Sequence, residues 1–454
     1  MSTTQTVAPA RRPVRHRMRS RSGTPFLVQL GIWCGAAGVL ALWWSNTASV
    51  TGPAAWLTGA GRITGLLAGY ACAVLLLLMS RVPLLDHRIG TDRLARWHAL
   101  GGRWTISLIL AHTLLIIWGY ALAAHTDVVS QTSTLVLHYP DLLKGTLGFL
   151  LFLATAVLSA RAARRRMSYE TWHYLHFATY LAVFLAFGHQ LSNGADFVGN
   201  PPARIAWYGL YLGVAALVAW YRLAIPVKRG FRHRLRVAAV HREAPDVVSV
   251  HLTGRHLEEL GAEPGQFFRW RFMARGLWWT ANPYSLSAPP HPRHLRITVK
   301  TAGGHSAALA QLAPGTSVWA EGPYGSFTAW RASGRQILLV AGGVGITPLR
   351  ALFETLPGQV TLVYRARSAA DLVLRDELER IAAGRGAVVH YIVDDGPPAA
   401  APNFSATSLG ALVPDLAAHD VYLCGPAGMT QATVRALRQA GVPARRIHHE
   451  SFAF

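Results

Sequence analysis

The stretch RWHALGGRWTISLILAHTLLIIWGY, residues 96–120, decides the fold. It is apolar for long enough to cross a bilayer, which takes about 20 residues of helix. Yet it carries two histidines, His98 and His112. Imidazole is costly in hydrocarbon, so a histidine inside a spanning helix marks a functional site by default. A second apolar stretch, residues 171–191, carries His176 and His189 in the same manner. From His98 to His112 the helix returns to within about 40° of one face and climbs roughly 21 Å. His176 and His189 give a similar height but differ by about 140° in azimuth on an ideal helix, which spacing alone does not explain. His173 competes with His176 and fits no better.

Around these stretches the chain divides in two. Of 454 residues, 51% are hydrophobic and only 15% charged, and the apolar runs lie before residue 226. Six segments read as spans: 26–44, 63–80, 96–120, 145–162, 171–191 and 204–225. The connections 81–96 and 161–166 and the exit 222–229 are rich in arginine, whereas 46–59, 125–141 and 192–202 contain none. The positive-inside rule then places both termini in the cytoplasm and makes this a multi-pass protein of the cell membrane. Helices three and five run in parallel, so His98 is expected to face His176, and His112 to face His189.

The formal net charge of +22 does not indicate a nucleic acid partner, because the arginines flank apolar segments. Three cysteines, Cys34, Cys72 and Cys424, are too scattered for a disulfide framework or a zinc site. Residues 1–24 read as a basic, disordered cytoplasmic tail, and the first apolar run as a retained helix rather than a cleaved signal. His125 and His138, with Asp127 and Asp141, read as a solvated outer connection.

Beyond Pro226 short alternating stretches at 234–240, 247–252, 266–272, 295–300 and 317–321 read as strands of a small β-barrel. From Gln336 strands and helices alternate: strands at 336–341, 360–364, 388–393 and 421–424, helices at 349–356 and 372–383. That alternation means a parallel α/β sheet. The expected architecture is a multi-domain membrane protein: a tail (1–24), a six-helix transmembrane bundle (25–228), a β-barrel (229–332) and an α/β nucleotide-binding domain (333–454).

Each soluble part carries a motif. In Asn282-Pro283-Tyr284-Ser285-Leu286-Ser287, Tyr284 offers a flat aromatic face and Ser285 hydrogen bonds for a flavin edge. In Val299-Lys300-Thr301-Ala302-Gly303-Gly304-His305-Ser306, the glycines let backbone N–H groups approach a phosphate. Either motif alone could be a turn. Ala341-Gly342-Gly343-Val344-Gly345-Ile346-Thr347-Pro348 sits between a strand and a helix, where a glycine turn cradles a pyrophosphate. Tyr364-Arg365-Ala366-Arg367 ends the next strand, where Arg365 favours a 2′-phosphate and hence NADPH over NADH; a solvated basic edge is the other reading. Cys424-Gly425-Pro426 closes the fourth strand, and Phe454 ends the chain on an aromatic able to cover a flavin ring.

Imidazole is a common axial ligand of heme. Two matched pairs in parallel helices read as two bis-histidine b-type hemes (heme b), with Arg96 and Arg103 beside His98 for the propionates. The chain resembles the ferric reductase and NADPH oxidase superfamily over about residues 25–454, especially bacterial members with a ferredoxin-reductase-like module. The resemblance implies that His98, His112, His176 and His189 bind the hemes. It implies that Pro283, Tyr284, Ser285 and Leu286 hold FAD, with Lys300, Gly304 and Ser306 near its phosphates. It places the nicotinamide nucleotide at Gly342, Gly343, Gly345, Thr347, Pro348, Cys424, Gly425 and Pro426, and Phe454 on the isoalloxazine; Cys424 and Phe454 are the expected catalytic residues. Asn282 departs from the Arg or His frequent at that place. The implied path runs from NAD(P)H through FAD and the two hemes to an extracytoplasmic acceptor. The first reading of that acceptor is ferric iron or a metal chelate. The alternatives are dioxygen, giving superoxide, and a redox partner served by an electron-relay subunit. A proton channel or transporter would need no nucleotide module.

Overall fold

The computed structural model describes residues 23–47, 50–160, 163, 167, 169–301, 303–394 and 404–451. Most of the basic tail (1–22), the arginines of 161–166, Ala302, the Pro/Ala stretch 397–402 and the final three residues with Phe454 lie outside the described residues.

The first half is helical: α1 (Thr24–Ser45), α2 (Pro53–Leu78), α3 (Pro83–Ile89), α4 (Thr91–Ala124), α5 (Val128–His138) and α6 (Leu142–Ser159). It continues with α7 (Tyr169–His176), α8 (Ala178–Asn193), α9 (Pro201–Ala219) and α10 (Ile225–His233). Among the described residues five helices are long and apolar enough to cross a membrane: α1, α2, most of α4, α6 and the run from Pro201 to His233. Their outer surface carries Trp33, Leu114, Trp118, Ile205 and Leu212, all exposed. A water-soluble protein rarely presents so large an apolar face.

The stretch 171–191 is the exception. It is broken at Phe177 into α7 and α8. No glycine or proline marks the break, at which Thr179 Oγ1 donates to the His176 carbonyl at 2.7 Å. His176 and His189 therefore sit on different helices, and the azimuth of a single ideal helix does not apply to them.

Small residues close the bundle. On α2, Gly61, Gly65, Gly69 and Ala73 recur every fourth position and form a face along which other helices approach. A Cβ at Gly61 would lie 2.9 Å from the Ile116 side chain, and one at Gly69 2.8 Å from Trp207. Between α9 and α10 the helix widens into a π turn, Trp220–Ala224. Pro226 follows and has no N–H to offer the Arg222 carbonyl.

The second half begins with two three-stranded antiparallel sheets. β1 (Arg236–Ala244), β2 (Val247–Thr253) and β5 (His294–Lys300) form one; β3 (Phe267–Phe272), β4 (Asn282–Ser285) and β6 (Val318–Tyr324) form the other. Isolated bridges Arg236–Ser317 and Leu286–Ile297 join their edges. One core lies between them, with Val250, Leu252, Phe268, Trp270, Phe272, Leu286 and Ile297 wholly buried. β3 shows why: in Phe-Phe-Arg-Trp-Arg-Phe every second side chain faces inward. β4, not foreseen as a strand, is four residues long and carries Pro283; it pairs only with β3, the edge position that proline tolerates.

The last part is a five-stranded parallel sheet of order β11-β10-β7-β8-β9. Its strands are β7 (Gln336–Gly342), β8 (Gln359–Ala366), β9 (Val388–Val393), β10 (Asp420–Gly425) and β11 (Ile447–Ser451). Its helices are α11 (Ile346–Thr355), α12 (Arg375–Arg385), α13 (Ala406–Leu412) and α14 (Ala427–Gln439). β7 and β10 are almost wholly buried, as strands covered on both faces must be. From β7 the order runs one way to β8 and β9 and the other way to β10 and β11. The carboxyl ends of β7 and β10 thus flank the switch point at which such sheets bind ligands. β11 was not foreseen; it brings the end of the chain back onto the sheet.

Candidate functional site

The histidines meet in pairs. The rings of His98 and His176 have centroids 6.0 Å apart, and those of His112 and His189 6.4 Å. His112 Nδ1 lies 2.8 Å from the Gly61 carbonyl and His98 Nδ1 3.2 Å from that of Leu75. A carbonyl holds each Nδ1 as the N–H donor, which leaves Nε2 as the basic nitrogen. Two glycines make room: a Cβ at Gly65 would lie 2.5 Å from His112 Nδ1, and one at Gly145 3.0 Å from His189 Nδ1. Trp172 stacks on His176 at 5.2 Å. His173 instead packs on Phe177 at 4.6 Å and faces a cavity at the junction with the strands. Arg96 and Arg103 are exposed.

That cavity, of about 420 Å³, lies between the helices and the second antiparallel sheet. His173, Phe177 and Arg222 line it from the helices, and Arg269, Trp279 and Asn282 from the strands. Tyr174 bridges the two sides: its hydroxyl donates to the Trp279 carbonyl, and the two rings lie 5.2 Å apart. Arg222, presented by the π turn, also donates to the Met79 carbonyl at 3.0 Å. Sequence reasoning missed Arg222, Arg269 and Trp279. The arginine-rich exit and the Trp-rich segment before Asn282 were the available signals.

Pro283, Tyr284 and Ser285 lie on β4. The Trp270 indole donates to the Tyr284 carbonyl at 2.9 Å, Ser285 and Leu286 are buried, and Tyr284 is half-buried. Lys300 pairs with Asp246 at 2.8 Å. Ser306 Oγ accepts from the Gly303 N–H at 3.1 Å, and a Cβ at Gly303 or Gly304 would meet nothing within 4 Å, so that backbone is open to an approaching group.

The two glycine motifs of the parallel sheet converge. Gly345 abuts the Cys424 carbonyl too closely for any side chain, and Gly342 lies against the end of the Met429 side chain. Gly343 takes a φ of +51°, which favours glycine. Thr347 and Pro348 open α11 and are buried. Cys424 is wholly buried, and burial, then the neighbouring Glu450, push its thiol well above its ordinary range. Arg365 does not stand free: its Nε donates to both carboxylate oxygens of Asp394, at 3.0 and 2.9 Å. The two lobes are tied by Glu377 of α12, which accepts from Arg296 of β5 at 2.5 and 2.9 Å and from Arg350 of α11 at 2.7 Å.

Comparison with known proteins gives two family matches. Residues 64–187 match the ferric reductase like transmembrane component and residues 339–435 the oxidoreductase NAD-binding domain. The first match contains His98, His112 and His176, and His189 lies two residues beyond it. The chain is 30% identical over 300 residues to a flavohemoprotein of Xylella fastidiosa strain Temecula1, covering 62% of this chain and 74% of that protein. It is 32% identical over 235 residues to the ferredoxin reductase component of a 3-ketosteroid-9-alpha-monooxygenase from Mycolicibacterium smegmatis, covering 48% and 65%. Among solved structures, the flavohem-like FAD/NAD binding domain of nitric oxide dioxygenase from Vibrio cholerae O1 biovar El Tor aligns at 26% identity and a TM-score of 0.41, over 48% of this chain and 98% of that one. This is a membrane oxidoreductase that joins a ferric-reductase-like transmembrane domain to a flavin- and nicotinamide-binding, ferredoxin-reductase-like domain, the architecture of the ferric reductase and NADPH oxidase superfamily.

Proposed function

We propose that this chain carries electrons from cytoplasmic NAD(P)H across the membrane, by way of FAD and two b-type hemes, to a ferric chelate outside. The observation that carries this reading is the double pair of histidines. Two imidazoles on opposite sides of one metal, each with a bond of about 2 Å and a ring centre about 1 Å behind its nitrogen, stand about 6 Å apart between centroids. The separations of 6.0 and 6.4 Å fit that geometry. The carbonyls on Nδ1 of His98 and His112 orient Nε2 toward a metal, as partners of ligating histidines commonly do.

Under this reading His98 and His176 hold the inner heme and His112 and His189 the outer one. Six spans, counting α7 and α8 as one, leave both termini cytoplasmic and the reductase lobes beside the inner pair. The domains then read as bundle to residue 228, flavin-binding barrel 229–332 and nucleotide domain from 333, with α10 carrying the chain across the first boundary to His233. The edge bridges between the two antiparallel sheets support the barrel.

FAD, where bound, would supply the exchange between two-electron hydride chemistry and the single electrons that hemes accept. The residues supply placement. Tyr284 and Ser285 hold the flavin edge, with Lys300, Gly304 and Ser306 near its phosphates. The Gly342–Pro348 turn and Cys424-Gly425-Pro426 seat the nucleotide. Cys424, neutral in its buried site beside the Gly345 turn, would back the nicotinamide site as an uncharged wall. Arg222 and Arg269 bring positive charge to the junction, and the Tyr174–Trp279 contact ties the helix that carries His176 to the segment leading into β4, which would hold the flavin. The ferric acceptor is supported by the match to the ferric reductase like component.

The test is the purified chain with NAD(P)H and a ferric chelate, in air and without oxygen. Ferric reduction that persists without oxygen and resists superoxide dismutase is expected. Reduction abolished by the dismutase would make dioxygen the acceptor.

A further inference from the structure

We propose that Asp394 sets nucleotide choice in favour of NADH over NADPH, by occupying Arg365 and offering its carboxylate to a ribose 2′-hydroxyl. The proposal rests on the electron-transfer reading above and deepens it. Its basis is the register of the parallel sheet. Arg365 pairs with Gly342, the first glycine of the loop, on the adjacent strand. It lies twenty positions beyond Gly345, about the interval at which the adenosine ribose is read in such sheets.

At that place an acidic residue hydrogen-bonds the 2′-hydroxyl, whereas an arginine accommodates a 2′-phosphate. The sequence offers Arg365 and points to the phosphate. The structure places a carboxylate on it. The Asp394 backbone N–H donates to the Ala366 carbonyl at 3.2 Å, so the aspartate is fixed beside the carboxyl end of β8. Its oxygens take the Arg365 Nε at 3.0 and 2.9 Å. Phe404, itself buried, lies 5.6 Å beneath the guanidinium and holds it from a second side. Both members of the ion pair are about a fifth exposed, 23% and 22%, so the pair borders the crevice without being dissolved in solvent.

A 2′-phosphate entering here meets an arginine whose charge is already matched and a carboxylate of like charge. Like-charge juxtaposition in a binding interface is strongly unfavourable. A 2′-hydroxyl can donate to that same carboxylate. Arg367, exposed beyond the strand end, is the rival cation that could serve a phosphate instead.

The experiment measures kcat/KM for NADH and for NADPH with the full-length chain and ferricyanide, which takes electrons from the flavin without needing the hemes. Wild type is expected to favour NADH by about ten-fold or more, Asp394→Asn to lower that ratio by about ten-fold, and Asp394→Glu to keep it. Inhibition of the wild type by ADP and by 2′,5′-ADP gives a reading that needs no variant: ADP is expected to bind more tightly. A wild-type preference for NADPH, tighter binding of 2′,5′-ADP, or an Asp394→Asn ratio within two-fold of wild type would each overturn the proposal. A preference for NADPH lost in Arg367→Gln would move the determinant to Arg367. Oxidation of neither nucleotide would instead sink the electron-transfer reading itself.

Discussion

Replacing Glu377 by Gln tests the tie between the two reductase lobes. Burial by itself would push the Glu377 carboxyl up; the hydrogen bond and charge of Arg296, and then Arg350, override it and hold it at about 2, against an ordinary 4.5. At about 1.4 kcal/mol per pH unit that displacement corresponds to ~3 kcal/mol. The three side chains are only partly wetted: Arg296 is 8% exposed, Arg350 11% and Glu377 23%. Breaking a buried pair by removing one partner costs a similar ~3–5 kcal/mol, because the arginines keep their charge. For a unit of this size each kcal/mol moves the melting point by roughly 2–4 °C, so a loss of ~3 kcal/mol lowers it by roughly 6–12 °C. The assay is thermal release of flavin fluorescence from the full-length holoprotein at pH 7. The sign with pH follows from the depressed value. The stabilisation is fully present above the ordinary carboxylate range and fades as pH falls toward about 2, so the gap between wild type and variant narrows from pH 5 downward. A melting point within 2 °C of wild type at pH 7, or a gap that widens on acidification, would refute the reasoning.

Other outcomes follow from the same geometry. His112→Ala and His189→Ala should each remove one of two hemes from the purified chain, read by heme-to-protein ratio, while His173→Ala retains both. Gly65→Ala should mimic the first pair, because its new methyl displaces the His112 ring. Trp279→Ala should slow heme reduction at least ten-fold while the flavin is still reduced at its usual rate, in rapid mixing under anaerobic conditions, since ~1 Å misplacement of reacting groups can cost far more than that. Cys424, buried and held protonated, should resist alkylation at pH 8 in the folded protein and react once unfolded.

Much of this molecule could be read from its sequence, and for definite reasons. The lipid-facing helices are long apolar runs, and β7 and β10 are continuous apolar strands ended by glycine turns; both patterns survive without tertiary knowledge. Tertiary features were harder. β4 is too short and too proline-marked to show as a strand. The break at Phe177 carries no glycine or proline, so neither composition nor periodicity signals it. Arg365 was legible as an arginine at the ribose position, but its partner Asp394 lies just past the end of β9 and was invisible. Arg222 and Trp279 line one cavity at a junction between two parts of the chain that sequence can place only separately.

The central claim is that reducing equivalents pass from nicotinamide through the reductase lobes to the histidine pairs. Anaerobic mixing of the purified full-length protein with NAD(P)H, followed by absorbance, tests it most directly. Flavin bleaching followed by reduction of two b-type hemes per chain is expected, with the second lost in His112→Ala. Purified protein without heme, or heme that stays oxidised while the flavin is fully reduced, would contradict it.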